Sequence, residues 1–497
     1  MQKYKHLQLK FVIIILFICN VCFLQSYLPV ASKVGRYKRI PLQNQKIKEK
    51  IEEKKRPSAN WKRFEGKDYE KLLSKQNTIV LNLQTLLQLA SDDNLSIEIE
   101  SYSVKEAQAK LVGASAQFLP SVSFVQDINR RDGNIQLFSD QTIQVTQTSY
   151  QPRVLASFDV FQGGKVLFGW IAQKNLLDAS NAQFNSQKQK SLTDVASSYT
   201  QLQRYREQLE AEFVRKEQAS LNLEQRETAL ALGDDIKLSV LLARQELDKA
   251  NAQIAALKAS MYIESNKLNK LLNLPIETLI LPAEKLEEKD VLDFTSTFEF
   301  NNLIVKAIQG NPSLKVNKEI LKAYKAQEIQ SIAPFLPKAT ISSSTGYIGP
   351  GYDDLVKNNN FALTVRYDAL EHLGGSALAN FLESKQLKNK SRAELLLKIK
   401  ELEADINQLF LNVVSGKEVV KANQSVLDAS KEAYRNAKER LDAEVGTPYE
   451  LKVAQTDLSN ARAVYYESLA NYRIAEFNLM NKLGIVSIKS LVEGVKL

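Results

Sequence analysis

Leu441-Asp442-Ala443-Glu444-Val445-Gly446-Thr447-Pro448-Tyr449-Glu450-Leu451 interrupts an otherwise helix-forming stretch that runs from Gly375 to Leu483. Before it, Leu395, Ile399, Leu402, Ile406, Leu409 and Val413 recur at alternating steps of four and three, the seam of a coiled coil. After it, Leu451, Leu458, Ala461 and Tyr465 resume a helical stripe, followed by Leu469, Tyr472 and Leu479. Glycine close to proline stops a helix and lets the chain reverse. The stretch is therefore predicted to be a long antiparallel helical hairpin with its tip at Gly446. At about 1.5 Å per residue, the arm from Gly375 to Glu444 would be on the order of 100 Å long, more than an ordinary core needs. Gly446 is expected to supply a positive φ or another tight turn, and Thr447 to cap the second arm ahead of Pro448.

The same organisation occurs earlier in the chain. Gly163-Gly164 opens a helical segment whose stripe includes Val195, Tyr199, Leu202, Leu209 and Phe213 and which runs to Leu232. Gly233-Asp234-Asp235 breaks it, and a second arm runs from about Ile236 to Leu272. Ahead of this hairpin, a helical pattern from Leu83 gives way at Leu119-Pro120 to strands at about 119–130 and 143–162. Tyr150, Val154, Ala156, Phe158 and Val160 share one strand face; Gln151, Arg153, Ser157 and Asp159 share the other. Ahead of the second hairpin, strands are expected at about 338–348 and 359–371, with Phe361, Leu363, Val365 and Tyr367 opposed to Thr364, Arg366 and Asp368.

The two halves align. Ala90, Asn94, Ser96, Ala109 and Phe118-Leu119-Pro120 correspond at one constant offset to Ala307, Asn311, Ser313, Ala326 and Phe335-Leu336-Pro337. Gly163-Gly164 corresponds to Gly374-Gly375, Asp194 to Asp405, and Asn269-Lys270-Leu271 to Asn481-Lys482-Leu483. The chain reads as a tandem duplication of helix, strand, strand, helix, helix. The first copy covers 76–272 and the second 301–483, with a connector at 273–300 and a tail at 484–497.

Charge and cysteine usage narrow the function. The chain's net charge of +9 is matched by residues 33–75 alone, with 15 Lys/Arg against 6 Asp/Glu. Lys3, Lys5 and Lys10 add to it, so residues 76–497 are net acidic and no nucleic-acid partner is expected. Basic residues ahead of the apolar run Phe11 to Leu24, with Ala31 and Ser32 after it, read as a signal peptide over 1–32. Residues 33–75 read as a basic, mobile extension. Cys19 and Cys22, the only cysteines, fall within the signal peptide, which leaves His372 as the single histidine of the remainder. No disulfide framework, Cys/His metal site, cofactor site or catalytic constellation is expected, and the protein is not read as an enzyme.

Strands with one apolar and one polar face separate two media. Beyond the signal region no apolar stretch is long enough for a membrane helix. Lipid admits no open sheet edge, and four strands cannot close a barrel, since the smallest transmembrane barrels have about eight. The predicted fold is mostly α with a transmembrane β-barrel part, which requires several copies of the chain; a trimer would supply twelve strands.

In these features the chain resembles the outer-membrane efflux protein (TolC) family. The resemblance rests on the duplicated order, Phe-Leu-Pro at both helix-to-strand junctions, Gly-Gly after each strand pair, and the tips. Val240-Leu241-Leu242-Ala243 after Gly233 is similar to one family tip pattern, and Val445-Gly446-Thr447 to the other. The resemblance implies a homotrimer with a twelve-stranded barrel in the outer membrane. Beneath it a long α-helical barrel would cross the periplasm, belted at mid-height by 273–300 and 484–497. It also implies passive conduction of substrates delivered by an inner-membrane pump and its periplasmic adaptor, with adaptor docking at Gly233, Gly446, Thr447 and Pro448. The family's best-known member has inward aspartates six and nine residues after the second tip glycine; here those places hold Lys452 and Gln455, and in the first copy Ser239 and Leu242. An aperture carboxylate ring would have to come from Asp234, Asp235, Asp442, Glu444 or Glu450. The alternative is a secreted periplasmic coiled-coil adaptor or structural protein without a barrel.

Overall fold

A computed structural model describes residues 77–136, 142–288, 292–293, 300–367 and 374–496. The signal peptide, the basic extension, His372 and Asp368 lie outside the described residues. Strand β1 (Asn77–Leu81) leads into α1 (Leu83–Asp93) and α2 (Leu95–Ala116), then β2 (Ser121–Gln136) and β3 (Thr142–Gln162). Helices α3 (Lys165–Leu232) and α4 (Lys237–Leu271) form the first hairpin, and the short strands β4 (Thr278–Pro282) and β5 (Leu292–Asp293) follow. The second half runs α5 (Phe300–Gly310), α6 (Pro312–Gln330), β6 (Lys338–Ile348), β7 (Val356–Arg366), α7 (Gly375–Asp442) and α8 (Pro448–Leu483). Helix α9 (Ile488–Glu493) and strand β8 (Val495–Lys496) end the chain.

The duplication is visible in how the helices begin. Asn94 and Asn311, equivalent in the two copies, cap α2 and α6 by accepting backbone N–H groups through their side-chain oxygens. Each first arm has 68 residues, which at about 1.5 Å per residue is on the order of 100 Å of helix. Leu402, Ile406, Val413, Val420 and Leu427 on α7 bury against α8, which contributes Leu458, Ala461, Tyr465 and Leu469. Leu395, Ile399 and Leu409 sit half-buried at its margin. In the first hairpin the stripe behaves as read at Val195, Tyr199 and Leu202, all buried, but Phe213 is exposed, with the Lys258 ammonium over its ring.

The four long strands form one antiparallel sheet in the order β2-β3-β6-β7, so β2 and β7 are its edges. Phe124 pairs with Val154, and Leu363 with Ile341 paired to Phe158, which places the apolar residues on one side. Tyr150, Val154, Phe158, Leu363 and Val365 share that side; Arg153, Asp159 and Arg366 share the other. Three details differ from the sequence reading. A bulge between Asp159 and Phe161 makes Val160 the extra residue, so Phe161 rather than Val160 stands opposite Ala339, in line with Val365. Strand β7 begins at Val356 and ends at Arg366, which leaves Tyr367 beyond it. Strand β2 likewise runs on to Gln136, past the expected end near 130.

The connector is more ordered than its composition suggests. Its β4 pairs in parallel with β1, and β5 pairs in parallel with β8 from the tail. Ile280 is fully buried, and the Ser265 hydroxyl accepts the Ile280 N–H at 2.8 Å. The Tyr199 hydroxyl donates to the Leu81 carbonyl at 3.3 Å, fastening β1 to α3. No helix among the described residues is long and apolar enough to cross a membrane.

Candidate functional site: the hairpin tips and the joint between hairpins

The two tips turn by different means. At the first, Gly233 adopts φ +84°, and its N–H and that of Asp234 close the α3 end on Leu230 and Ala229 carbonyls. Asp235 then accepts the Ile236 N–H at 2.8 Å and pairs with Arg226 at 3.1 Å. Hydrogen bonds from Ser239, the Ile236 N–H and Arg226 hold the Asp235 carboxyl below the usual range. At the second tip the left-handed residue is Glu444 at φ 60°, not Gly446. Glycine is needed at 446 because of space: a Cβ there would stand 3.0 Å from the Arg440 carbonyl carbon and the Leu441 nitrogen. Both Val445 and Gly446 donate to the Arg440 carbonyl, at 2.9 and 2.8 Å. Thr447 caps α8 by accepting the Glu450 N–H at 3.2 Å, with Pro448 at the first helical position.

Of the five tip carboxylates, two are committed within the chain: Asp235 to Arg226, and Glu450 to Arg440 at 3.6 Å. Asp234, Asp442 and Glu444 are exposed and have no ion pair among the described residues. Exposed apolar side chains surround both turns, with Leu232, Ile236, Leu238 and Leu241 at the first and Val445 and Tyr449 at the second. Ala243 of the first tip pattern is buried, which fixes the face on which α4 meets α3.

Above the tips the hairpins meet along α3 and α8, and this joint is polar. The Gln208 amide donates to the Ala463 carbonyl at 3.1 Å, and Arg204 reaches Glu467 at 3.6 Å. The Ser459 hydroxyl donates to Glu212 at 3.2 Å, while Gln455 donates to Gln218, which in turn donates to the Tyr434 hydroxyl at 3.3 Å. Lys452 pairs with Glu246 at 3.5 Å, and Arg215 bridges Glu246 and Glu212 at 3.5 and 3.6 Å. Burial tends to raise the Glu246 carboxyl, but Lys452, Lys249 and Arg215 outweigh it and hold it below the usual range.

Glu207 has the opposite balance. Burial, and then the neighbouring Glu210, push its carboxyl up against the pull of Lys285, Arg206 and the Tyr466 hydroxyl. One oxygen of Glu207 and one of Glu212 are enclosed without a hydrogen-bond partner. Lys452 and Gln455, six and nine residues after Gly446, are thus built into this joint. None of Glu207, Glu212, Arg215 or Glu246 was singled out by the sequence. Glutamate and arginine are ordinary on a helix, and apart from local pairs such as Arg215–Glu212 their partners Glu246, Ser459, Lys452 and Tyr466 lie in another arm or across the hairpins.

Residues 86–274 match the family model described as outer membrane efflux protein. This stretch, less than half of the chain, is similar to that family. The chain has the fold of the TolC-like channel-tunnels. The chain is 26% identical over 209 residues to the pyoverdine export outer membrane protein OpmQ of Pseudomonas putida, a match covering 40% of this chain and 43% of that relative. Among solved structures, the CmeC outer membrane channel of Campylobacter jejuni superposes with a TM-score of 0.71 at 16% identity, covering 88% of this chain and 93% of that one. The outer membrane protein VceC of Vibrio cholerae gives 0.69 at 16% identity, covering 81% and 96%.

Proposed function

We propose that the protein is a passive exit duct: three copies close a twelve-stranded barrel in the outer membrane, and their hairpins line a tunnel leading to it. The observation that carries this reading is the four-stranded sheet with one apolar side, one polar side and two open edges. In lipid both edges must be paired, and β2 of one copy against β7 of the next does so without a change of fold. A coiled-coil adaptor has no use for such a sheet, repeated strand pair by strand pair.

The tips are the working end in this reading. Their exposed apolar rims offer a surface for a periplasmic adaptor, which couples the duct to an inner-membrane pump. The mouth opens when one hairpin slides against the other along the polar α3–α8 joint. Asp234, Asp442 and Glu444 make the mouth electronegative. The cargo is set by the pump, and the duct breaks no bond. Light scattering of the detergent-solubilised protein tests the assembly: the expected result is a mass three times that of one chain. A stable monomer with its β-structure intact would overturn it.

A further inference from the structure

The end of the sheet away from the helices carries cations on its apolar side. Arg130 lies two residues beyond Ile128 on β2, on the side shared with Phe124 and Val154. Lys357 lies on the same side of the sheet, on β7 with Phe361 and Leu363, directly opposite Tyr347. Both cations are exposed, and neither has an ion-pair partner among the described residues. A charge on a lipid-facing surface is costly at mid-membrane and tolerated only near the interface.

Tyrosines mark that interface. Tyr150 pairs with Ile128, Tyr352 lies against Tyr150 with ring centroids 4.6 Å apart, and Tyr347 is half exposed beside Lys357. Acidic groups nearby do not neutralise the pair directly: Asp132 is engaged by the Thr146 hydroxyl at 2.9 Å, and Asp353 and Asp354 belong to the turn before β7.

Arg130 and Lys357 sit on the two opposite edge strands. When β7 of one copy pairs with β2 of the next, both cations border the same subunit junction. The end of the sheet they share lies toward the outer leaflet, because the helices, and with them the periplasm, lie at the other end of the strands. We propose that this rim binds the phosphorylated sugar headgroup of the outer-leaflet glycolipid, one per subunit junction. Arginine and lysine would receive its phosphates by charge-assisted hydrogen bonds, while the tyrosine band packs on the sugar and acyl boundary. The inference rests on the barrel reading and adds to it a lipid that joins neighbouring subunits.

The test uses the full-length trimer in detergent, titrated with diphosphoryl lipid A and, separately, with phosphatidylglycerol, and read by native mass spectrometry. The native protein should retain lipid A at one per junction and prefer it to phosphatidylglycerol. The Arg130→Gln/Lys357→Gln variant should bind lipid A about tenfold more weakly while keeping the trimer's mass and heat-resistant migration on a gel. Undiminished binding by the variant, or equal binding of phosphatidylglycerol, would overturn the inference and leave the barrel standing. A native protein that is monomeric before any lipid is added removes the junction and overturns both.

Discussion

The seam inside the second hairpin and the joint between the hairpins are built from different chemistry. Inside, α7 and α8 meet through Ile406, Val413, Val420 and Leu427 against Leu458, Tyr465 and Leu469, all buried. Between the hairpins, α3 meets α8 through Gln208, Glu212 and Gln218 against Gln455, Ser459 and the Ala463 carbonyl, and Lys452 of α8 reaches Glu246 on α4. Apolar burial is lost in proportion to the area exposed, so prising a hairpin apart is expensive throughout. Hydrogen bonds and partly exposed ion pairs exchange with water at a net cost of only about 1 kcal/mol each. Each hairpin should therefore move as a body, and the joint is where movement costs least.

The largest effect should come from the inner seam. Ile406 is fully buried, and Ile406→Ala should cost about 2–5 kcal/mol, seen as a lowered unfolding midpoint in denaturant. A loss well under that range would mean the hairpin is no stiffer than the joint.

An intermediate effect is expected at Glu207. Its carboxyl is raised in the folded joint, so the joint is strongest below the ordinary glutamate range and weakens as pH rises through the raised value. Glu207→Gln removes the ionising group, so it should strengthen the joint at neutral pH by about 1 kcal/mol and flatten the pH dependence of the unfolding midpoint. Native protein with no greater pH dependence than the variant would show that Glu207 does not weaken the joint.

The smallest energetic effect is expected at Lys452. Its pair with Glu246 is partly exposed, so Lys452→Gln should cost about 0.2–1 kcal/mol and leave the unfolding midpoint nearly unchanged. In planar bilayers, however, the variant should dwell longer in its high-conductance state. A variant that unfolds early without a change in conductance would argue that the joint is structural and not a place of movement.

Much of this architecture was legible because its signals are periodic or repeated. The seven-residue spacing through Leu395, Leu402 and Leu409 gave the second hairpin directly, and the doubled Phe-Leu-Pro and Gly-Gly gave the order of elements. Three features were not legible. The bulge at Val160 is a local slip in register that alternation cannot reveal. The left-handed turn residue is Glu444 where glycine stood two positions away, because closeness to Arg440, not φ, is what requires Gly446. The parallel pairs β1–β4 and β5–β8 join segments far apart in the chain; only the short runs Thr78-Ile79-Val80-Leu81 and Leu279-Ile280-Leu281 hint at the first. The polar joint belongs with them, since pairs such as Gln218–Gln455 and Glu212–Ser459 cross between hairpins.

The open edges of β2 and β7 have a consequence for the life of the chain before it reaches its destination. A newly made copy presents two unsatisfied rows of backbone donors and acceptors beside exposed phenylalanines and valines, the combination that seeds aggregation. If three copies close the barrel as proposed, such a molecule has to be shielded from water until lipid and sister copies arrive together, and maturation of the sheet and entry into the membrane become a single event.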